Sequence, residues 1–230
     1  MKVFTKENIT LYHGDCEEIL PVLGVKAQAI ITDPPYGIAF RSNMRSATPK
    51  FDTIVNDDVV QTDWIPMLND AVDANACIFA FTRWDVEHIW RDAISQSGWS
   101  VKSQVIWYKP GGGLGDLYAQ FSPSHENAIF AIKGDWKFSG RRPPSVYNFH
   151  KDAVSSYEHP TQKPVQLMSR IVLDITAPGD LVIDPFFGSC STGVACARYD
   201  RKFVGIEINE EYFELGCENI SKELEKPMLF

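Results

Sequence analysis

The sequence predicts an α/β fold: a doubly wound, mostly parallel sheet of seven strands with helices on both faces. Seven short apolar runs alternate with stretches whose apolar residues recur at helical spacing, which is the pattern of strand–helix–strand units. The chain has 230 residues, a length typical of one α/β domain, and shows no internal repeat or low-complexity tract. We therefore expect a single domain over residues 1–230.

The strands and helices follow one another along the chain, separated by turn residues. The predicted strands cover residues 9–15, 29–32, 77–81, 99–108, 127–133, 181–184 and 203–207. The predicted helices cover residues 17–23 (a helix or a turn), 63–72, 84–97, 164–176, 193–199 and 210–224. Residues 37–58 and 134–158 are the least regular parts, and we predict that they are loops. Loops of this length inside a compact domain are commonly functional.

The composition indicates an ordinary globular protein in a reducing compartment. Hydrophobic residues make up 44% and charged residues 23% of the chain. No apolar run approaches the ~18 residues that a membrane span needs, and residues 1–7 lack the apolar core of a signal peptide. The five cysteines include no C-x-x-C pair, which argues against a disulfide framework and a zinc site. We expect a cytoplasmic protein with no membrane partner and no metal.

The first candidate site is a buried strand that ends in an acid, two prolines and an aromatic ring. Residues 29–31 are apolar, and Asp33-Pro34-Pro35-Tyr36 follows them closely. The prolines must end the strand, and they leave a stiff loop at the strand end where open α/β sheets bind ligands. The loop offers a carboxylate, carbonyl oxygens and a ring, which suits a planar substrate with an exposed amino group. The alternative is a turn in which Asp33 only caps a helix.

The second candidate site is a strand followed by a glycine-containing turn and a helix start. Asp184-Pro185-Phe186-Phe187-Gly188-Ser189-Cys190-Ser191-Thr192-Gly193 offers hydroxyl groups and helix amides, and Glu207 ends the next strand, where an acid can bind ribose hydroxyls. A P-loop would need lysine after Gly193, and the dinucleotide fingerprint would need glycine at Cys190. S-adenosylmethionine (SAM), which has adenosine and a small zwitterion but no phosphate, meets neither objection. A purely structural turn is the remaining alternative.

In this order, the motifs resemble those of the DNA amino-methyltransferases, which methylate adenine N6 or cytosine N4. Asp33-Pro34-Pro35-Tyr36 matches their catalytic motif, and the loop from Asp184 to Gly193 resembles their SAM loop, with Cys190 where the family often has glycine. His159-Pro160-Thr161-Gln162-Lys163-Pro164 resembles the segment before the helix that closes over the methionine end of SAM. Asp15 matches the acid that meets the adenine ring. The resemblance covers nearly the whole chain.

The resemblance implies a topology, an activity and a set of site residues. The chain is similar to the permuted β group, with the sheet order 3-2-1-4-5-7-6 in the family's strand numbering. The implied activity is site-specific methylation of adenine N6 in double-stranded DNA from SAM, after base flipping. The implied catalytic residues are Asp33, Pro34, Pro35 and Tyr36. The implied cofactor-binding residues are Asp15, Cys16, Asp33, His159, Thr161, Lys163, Asp184, Pro185, Phe186, Gly188, Ser189, Ser191, Thr192, Glu207 and Ile208.

Other activities of the same fold stay open at this point. They are cytosine-N4 methylation, methylation of RNA or protein, and a catalytically silent DNA-binding relative. A homodimer is also possible, because dimers are common in the group that the chain resembles.

The distribution of charge predicts where DNA would bind. The net charge of −8 and the pI of about 5.1 disfavour a nucleic-acid partner when taken alone. Basic residues are nevertheless concentrated in residues 37–51, which contain no acid, and in residues 133–151, where Asp135 is the only acid. Residues 134–158 are the candidate for target recognition. The alternative is that both segments are ordinary solvated loops. The predicted DNA-contacting residues are Arg41, Arg45, Lys50, Arg141, Arg142 and Lys151.

Overall fold

A nine-stranded sheet carries the fold in the computed structural model, which describes residues 1–37, 59–112, 118–151 and 162–226. The strands are β1 (Lys2–Lys6), β2 (Ile9–His13), β3 (Ala27–Thr32), β4 (Val72–Thr82), β5 (Ser100–Tyr108), β6 (His125–Lys133), β7 (Val146–Asn148), β8 (Leu181–Asp184) and β9 (Lys202–Glu207). The helices are α1 (Cys16–Ile19), α2 (Trp64–Ala71), α3 (Glu87–Gln96), α4 (Val165–Ile175), α5 (Ser191–Arg198) and α6 (Glu210–Leu224). No helix within these ranges is long and apolar enough to cross a membrane.

The strand order in the sheet is β1-β2-β9-β8-β3-β4-β6-β5-β7. All pairings from β2 across to β4 are parallel, whereas β6 runs antiparallel to both of its neighbours. The seven inner strands follow the predicted order, which confirms the doubly wound and mostly parallel sheet. The permutation of the chain relative to the family that it resembles stays a prediction.

Two short edge strands were not predicted. β1 pairs antiparallel with β2 through a tight turn in which Glu7 has φ 52°. The residues of β1 are mostly exposed, so the sequence of this strand shows no continuous apolar run. β7 has three residues inside the segment that was predicted to be a loop, and it pairs with β5 from Val146 to Asn148. A strand this short is too brief to show a period in the sequence.

Both faces of the sheet are covered by helices, which explains why its central strands are continuous apolar runs. Ile30 and Ile78 face one side, where α1, α2 and α3 pack with Trp64, Leu68, Trp90 and other buried residues. Ile31 and Phe79 face the other side, where α4, α5 and α6 pack with Leu167, Ile171, Val194, Phe213 and other buried residues. The alternation of these neighbours along β3 and β4 gives the sheet a packed core on each face.

The two predicted motifs follow neighbouring strands at the point where the chain changes direction. β3 and β8 pair in parallel, with Ala29 opposite Val182 and Ile30 opposite Ile183. The chain leaves β3 towards β4 on one side and leaves β8 towards β9 on the other. The loops after β3 and β8 therefore diverge and open a crevice at the carboxyl edge of the sheet, where ligands bind in this class of fold.

Two glycines anchor the loop after β8. A Cβ on Gly205 or on Gly216 would lie 2.6 Å from the Phe187 ring, so the ring can lie between β9 and α6 only because both positions lack a side chain. The Phe187 side chain is buried and contacts Phe213 at a ring-centroid distance of 6.4 Å. This packing holds the loop in place at the crevice.

Candidate active site

A cavity lies in the crevice between the ends of β3 and β8. Its wall is built from the loops after β2, β3, β8 and β9, and from residues before and within α4. His159 and Thr161 lie outside the described residues. The predicted site residues in the wall are Asp15, Cys16, Asp33, Pro34, Pro35, Tyr36, Lys163, Asp184, Pro185, Phe186, Gly188, Ser189, Ser191, Thr192, Glu207 and Ile208. The structure thus brings the two motifs together, while the role of each residue stays a prediction.

The Asp33 carboxylate is held by two side chains that donate to different oxygens. Asp33 directly follows β3, and its side chain is 19% exposed. The Tyr36 hydroxyl donates to Oδ1, and Lys163 Nζ donates to Oδ2. Lys163 Nζ also lies 3.2 Å from Glu126 Oε2, and Lys109 Nζ donates to Glu126 Oε1 at 2.8 Å. The result is a row of alternating charges that runs from the cavity into the protein.

Burial and neighbouring charges set the protonation of this row. Burial raises the pKa of Asp33, Lys163 opposes that shift, and Glu126 adds to it, so that the net direction is upward. Burial disfavours the Lys163 ammonium, but the carboxylates of Asp33 and Glu126 raise its pKa overall. Burial would also raise the pKa of Glu126, yet Lys163 and Lys109 lower it to about 2. Lys163 is therefore an ammonium at neutral pH, and it lies between Asp33 and the ionised Glu126.

Asp184 ends β8 and accepts two hydrogen bonds, one from the loop that follows it and one from the first turn of α5. The Phe186 N–H donates to Oδ1 at 3.1 Å, and the Thr192 hydroxyl donates to Oδ2 at 2.9 Å. The side chain is buried, and burial raises its pKa to about 7 despite these bonds. Asp184 therefore changes its charge near neutral pH inside the cavity wall.

Cys190 takes the backbone conformation that favours glycine. Its φ is 65°, in the left-handed region, directly before α5, and its side chain is fully buried. A Cβ on Gly193 would lie 2.4 Å from Cys190 Sγ. The glycine at position 193 therefore makes room for the cysteine at position 190, where the family that the chain resembles often has glycine.

The loops after β2 and β9 add two more acids to the wall. Asp15 caps α1 by accepting the Glu17 N–H at 2.9 Å, and Cys16 begins that helix as a buried thiol whose pKa burial raises to about 12. Glu207 ends β9 and accepts the backbone N–H groups of Gly188 and Asn209. Each carboxylate oxygen can accept a further hydrogen bond, so both acids can still bind hydroxyl or amino groups of a ligand.

The charges in the wall favour a cationic ligand over a phosphate. The acidic lining residues are Asp15, Glu17, Asp33, Asp184 and Glu207. Lys163 is the basic residue among the described part of the lining, and its ammonium already contacts two carboxylates. Both phosphate-binding alternatives therefore lose support. The adenine, ribose hydroxyls, ammonium and sulfonium of SAM match the acids and the apolar rings of Trp64 and Phe186.

Several lining or supporting residues were not predicted. Gln61, Trp64, Asn209 and Tyr212 line the cavity, and Glu126 and Lys109 stand behind Lys163. The sequence did contain a signal for Glu126, because this acid directly precedes the buried residues of a strand, in the run from His125 to Ala131. Among the described ranges, no group of three or more potential metal ligands is close enough to hold an ion.

The predicted DNA-contacting residues fall into three groups. Arg41, Arg45 and Lys50 lie outside the described residues. Arg141 and Arg142 are exposed, and Arg142 lines a second cavity beside β5 and β6 rather than the one that contains Asp33. Lys151 is exposed by residue, and its pKa is lowered by partial burial of its ammonium and by the ammonium groups of Lys109 and Lys163. DNA contact by these six residues stays a prediction.

The chain is similar to known DNA methyltransferases in sequence. The DNA adenine methyltransferase YhdJ of Escherichia coli (strain K12) is 26% identical over 94% of this chain and 84% of that protein. The type II methyltransferase M2.MboI of Moraxella bovis is 27% identical over 91% of this chain and 86% of that protein.

Solved structures of DNA methyltransferases are also similar to this chain. The M1.HpyAVI–SAM complex superposes with a TM-score of 0.74 at 28% identity, over 92% of this chain and 98% of that chain. The PvuII DNA methyltransferase, which is cytosine-N4-specific, reaches a TM-score of 0.71 at 17% identity and supports the fold alone. A family model described as DNA methylase matches residues 27–218, which include both motif loops. The chain therefore belongs to the DNA methylase family.

Proposed function

We propose that the protein transfers a methyl group from SAM to N6 of adenine in double-stranded DNA, at a specific sequence and after the base has left the duplex. The observation that carries the proposal is the position of the Asp33 carboxylate, in the wall of the same cavity as the loop after β8. A nucleobase amine at Asp33 and a cationic cofactor at that loop would meet in one crevice, where positioning lowers the barrier.

Asp33 and the Pro34 carbonyl are assigned to the target amine. The exocyclic amine of adenine is a poor nucleophile because its lone pair is delocalised into the ring. Two acceptors on its N–H bonds favour a tetrahedral nitrogen and free that lone pair. Each Asp33 oxygen accepts one hydrogen bond from a side chain and retains capacity for another. Pro34 and Pro35 keep the loop stiff by fixing φ.

The transfer needs one acceptor for a proton and an environment that tolerates a change of charge. SAM supplies an electrophilic methyl group. The amine lone pair forms the new N–C bond as the S–C bond breaks, and the nitrogen then loses one proton. Asp33 already accepts from that amine in this assignment, so its carboxylate is the group to take the proton. Fixed charges in the wall would supply much of the rate.

Tyr36 is assigned to the extruded base. Base–aromatic stacking is worth ~1–3 kcal/mol, and the base must leave the duplex to reach the crevice. The Tyr36 side chain is half-buried against the core, and its hydroxyl donates to Asp33. The same side chain would therefore position both the base and the carboxylate.

The remaining assignments follow from the cavity and from the relatives. We assign the cofactor to the wall formed by the loops after β2, β8 and β9, together with residues 159–163. The name of YhdJ supports adenine, and the names of the type II relatives support a role in restriction–modification. A single domain over residues 1–230, DNA contact through residues 37–58 and 134–158, a possible homodimer and a cytoplasmic location stay proposals.

Transfer of labelled methyl groups tests the function. The protein is incubated with labelled SAM and duplex DNA, RNA or a protein mixture, and the labelled product is identified by nucleoside analysis. We expect N6-methyladenine in duplex DNA. N4-methylcytosine would replace the proposal by the cytosine alternative, and DNA binding without any label would indicate a silent relative.

Asp33→Ala is the matched control for this assay. The variant should bind SAM in calorimetry but transfer less than about a tenth of the wild-type label, because it removes an acceptor from the target amine. A faster rate in a folded variant would remove Asp33 from the catalytic assignment.

A further inference from the structure

The ammonium of Lys163 lies between two partly buried carboxylates that belong to different parts of the fold. Asp33 follows β3 at the cavity, whereas Glu126 lies in β6 and is not among the described residues that line the cavity. Lys163 precedes α4 and contacts both, and its Nζ also lies 4.8 Å from the centroid of the Phe81 ring. Lys109, at the end of β5, neutralises the far side of Glu126.

The two contacts of Lys163 differ in kind. Its Nζ hydrogen-bonds to Asp33 Oδ2, and it forms an ion pair with Glu126 Oε2 at 3.2 Å without completing a well-aligned hydrogen bond. This Glu126 oxygen is buried and accepts no hydrogen bond from the described residues. A buried acceptor without a well-aligned hydrogen bond is costly, and the ion pair with Lys163 offsets part of that cost. Glu126 Oε2 can therefore still accept a hydrogen bond from Lys163.

A stabilising role alone accounts poorly for this row of charges. Buried ion pairs repay their desolvation only when their geometry is good, and apolar replacements are often as stable. The Asp33 carboxylate would also have to accept from the target amine while the Lys163 ammonium donates to one of its oxygens. Each oxygen can accept a second hydrogen bond, but an ammonium in contact with the carboxylate weakens it as an acceptor and as a base.

We propose that Lys163 is a movable partner of Asp33. In the resting enzyme its ammonium donates to Asp33, and it moves to the open Glu126 oxygen when the target amine binds. Lys163 and Glu126 are then positioning residues for methyl transfer. This inference rests on the proposed function. The lysine keeps the empty carboxylate charged and oriented, and the glutamate receives the ammonium so that the carboxylate becomes free for the amine. The four side chains of the row carry two positive and two negative charges, so the shift leaves the net charge unchanged.

The two residues act on Asp33 in opposite directions, which makes the inference testable. Lys163 favours the ionised form of Asp33, and Glu126 disfavours it. Among the described residues, the other titratable groups that interact with the row are Tyr36, Asp184 and Lys151, and Arg83 acts on Tyr36. Because Asp33 must be ionised to accept from the amine, its pKa sets the acidic limb of the rate–pH profile.

The experiment compares Glu126→Gln and Lys163→Met with the wild type in single-turnover methyl transfer at saturating SAM, across about pH 5 to 9. In Lys163→Met the acidic limb should shift to higher pH by roughly one pH unit, and the rate should recover at high pH. In Glu126→Gln the limb should shift to lower pH. The rate should also fall about tenfold at every pH above the limb, because the ammonium has no second carboxylate to move to and stays on Asp33. SAM affinity in calorimetry should be unchanged by Glu126→Gln.

Matched controls remove equivalent groups outside the row. Glu87→Gln changes a carboxylate that accepts from Asn127, the neighbour of Glu126. Lys133→Met removes an ammonium that donates to Asn69 at 2.8 Å and lies 5.9 Å from the centroid of the Trp99 ring. Neither variant should move the acidic limb.

The outcomes separate this inference from the proposed function. If the wild type methylates DNA but both variants move the limb in the same direction, or neither moves it, the movable pair is wrong and the function stands. If the wild type transfers no methyl group to DNA, the function and this inference fail together. If Lys163→Met does not fold, Glu126→Gln decides the test, with Lys163→Arg expected to keep the wild-type limb because it keeps the charge.

Discussion

Glu207 Oε2 accepts the backbone N–H of Gly188 at 3.0 Å, which joins the end of β9 to the loop after β8. Its other oxygen accepts the Asn209 N–H at 2.8 Å, at the start of α6. The carboxylate therefore shapes the cavity wall that we assign to the cofactor, in addition to presenting an acid to it, and burial raises its pKa. The sequence suggested the second of these roles from the position of the acid at a strand end.

Glu207→Ala should weaken SAM binding and lower the thermal stability together. The variant leaves two loop N–H groups without their acceptor and removes the group assigned to the ribose hydroxyls, and hydrogen bonds to charged groups are worth ~1.5–3 kcal/mol. Calorimetry should show a Kd raised about tenfold or more, with DNA affinity unchanged. Glu210→Ala is the control, because Glu210 is exposed and pairs with Lys2. An unchanged Kd in folded Glu207→Ala would exclude the ribose assignment.

Asp184 predicts a dependence of SAM binding on pH. Its pKa is about 7 in the folded protein, against an ordinary value of 3.8. A cationic ligand favours the carboxylate, so SAM affinity should rise between about pH 6 and 8. The folded state binds the extra proton, so this group's contribution to the unfolding free energy falls as pH rises from about 4 to 7.

Asp184→Asn tests both effects because it keeps the shape of the side chain without its charge. Calorimetry across the pH range should show that the SAM affinity of the variant no longer rises with pH. Thermal melts should show that its stability varies less with pH than that of the wild type. A wild-type affinity that is flat across this range would contradict the placement of a cationic ligand beside Asp184.

Gly193→Ala should destabilise the protein through Cys190. The added Cβ would lie 2.4 Å from Cys190 Sγ and 2.9 Å from Phe203 Cε1, in a fully packed part of the core. Overpacking of this kind costs ~1–3 kcal/mol, which chemical denaturation can measure. Gly140→Ala is the matched control, because nothing lies within 4 Å of its added Cβ. Equal stability of the two variants would show that the loop can shift at no cost.

The fold could be predicted because its strands are continuous apolar runs, which sheets covered on both faces require. β3 and β8 were found this way, and the prolines and glycines after them marked the crevice. The row behind Asp33 could not be predicted. Its members come from the end of β5, from β6, from the end of β3 and from the segment before α4, and only the register of β6 against β4 and β5 brings them together.

The resemblance placed Lys163 with the cofactor residues, and the structure adds a contact that no local pattern encodes. Lys163 lines the cavity, but its ammonium lies on Asp33 and near Glu126. The left-handed backbone of Cys190 was similarly hidden, because a cysteine gives no sign of a positive φ. Long-range contacts and backbone exceptions are the features that sequence periodicity does not report.

The last prediction concerns DNA binding by an acidic protein, which requires a local basic face. Arg141 and Arg142 are exposed, next to the edge strand β7, in the segment predicted to recognise the target. Replacing both by Gln should weaken duplex binding and reduce its salt dependence by roughly one unit per lost phosphate contact, because each contact releases about one counterion. SAM affinity should stay the same.

Lys222→Gln with Lys226→Gln is the matched control, because it removes the same net charge from exposed positions at the end of α6. That pair should leave both the DNA affinity and the salt slope near wild type, since a change in net charge alone acts weakly at physiological ionic strength. If the arginine pair behaves like this control, residues 141 and 142 do not contact the duplex. DNA contact would then have to come mainly from residues 37–58, where Arg41, Arg45 and Lys50 are the next residues to replace.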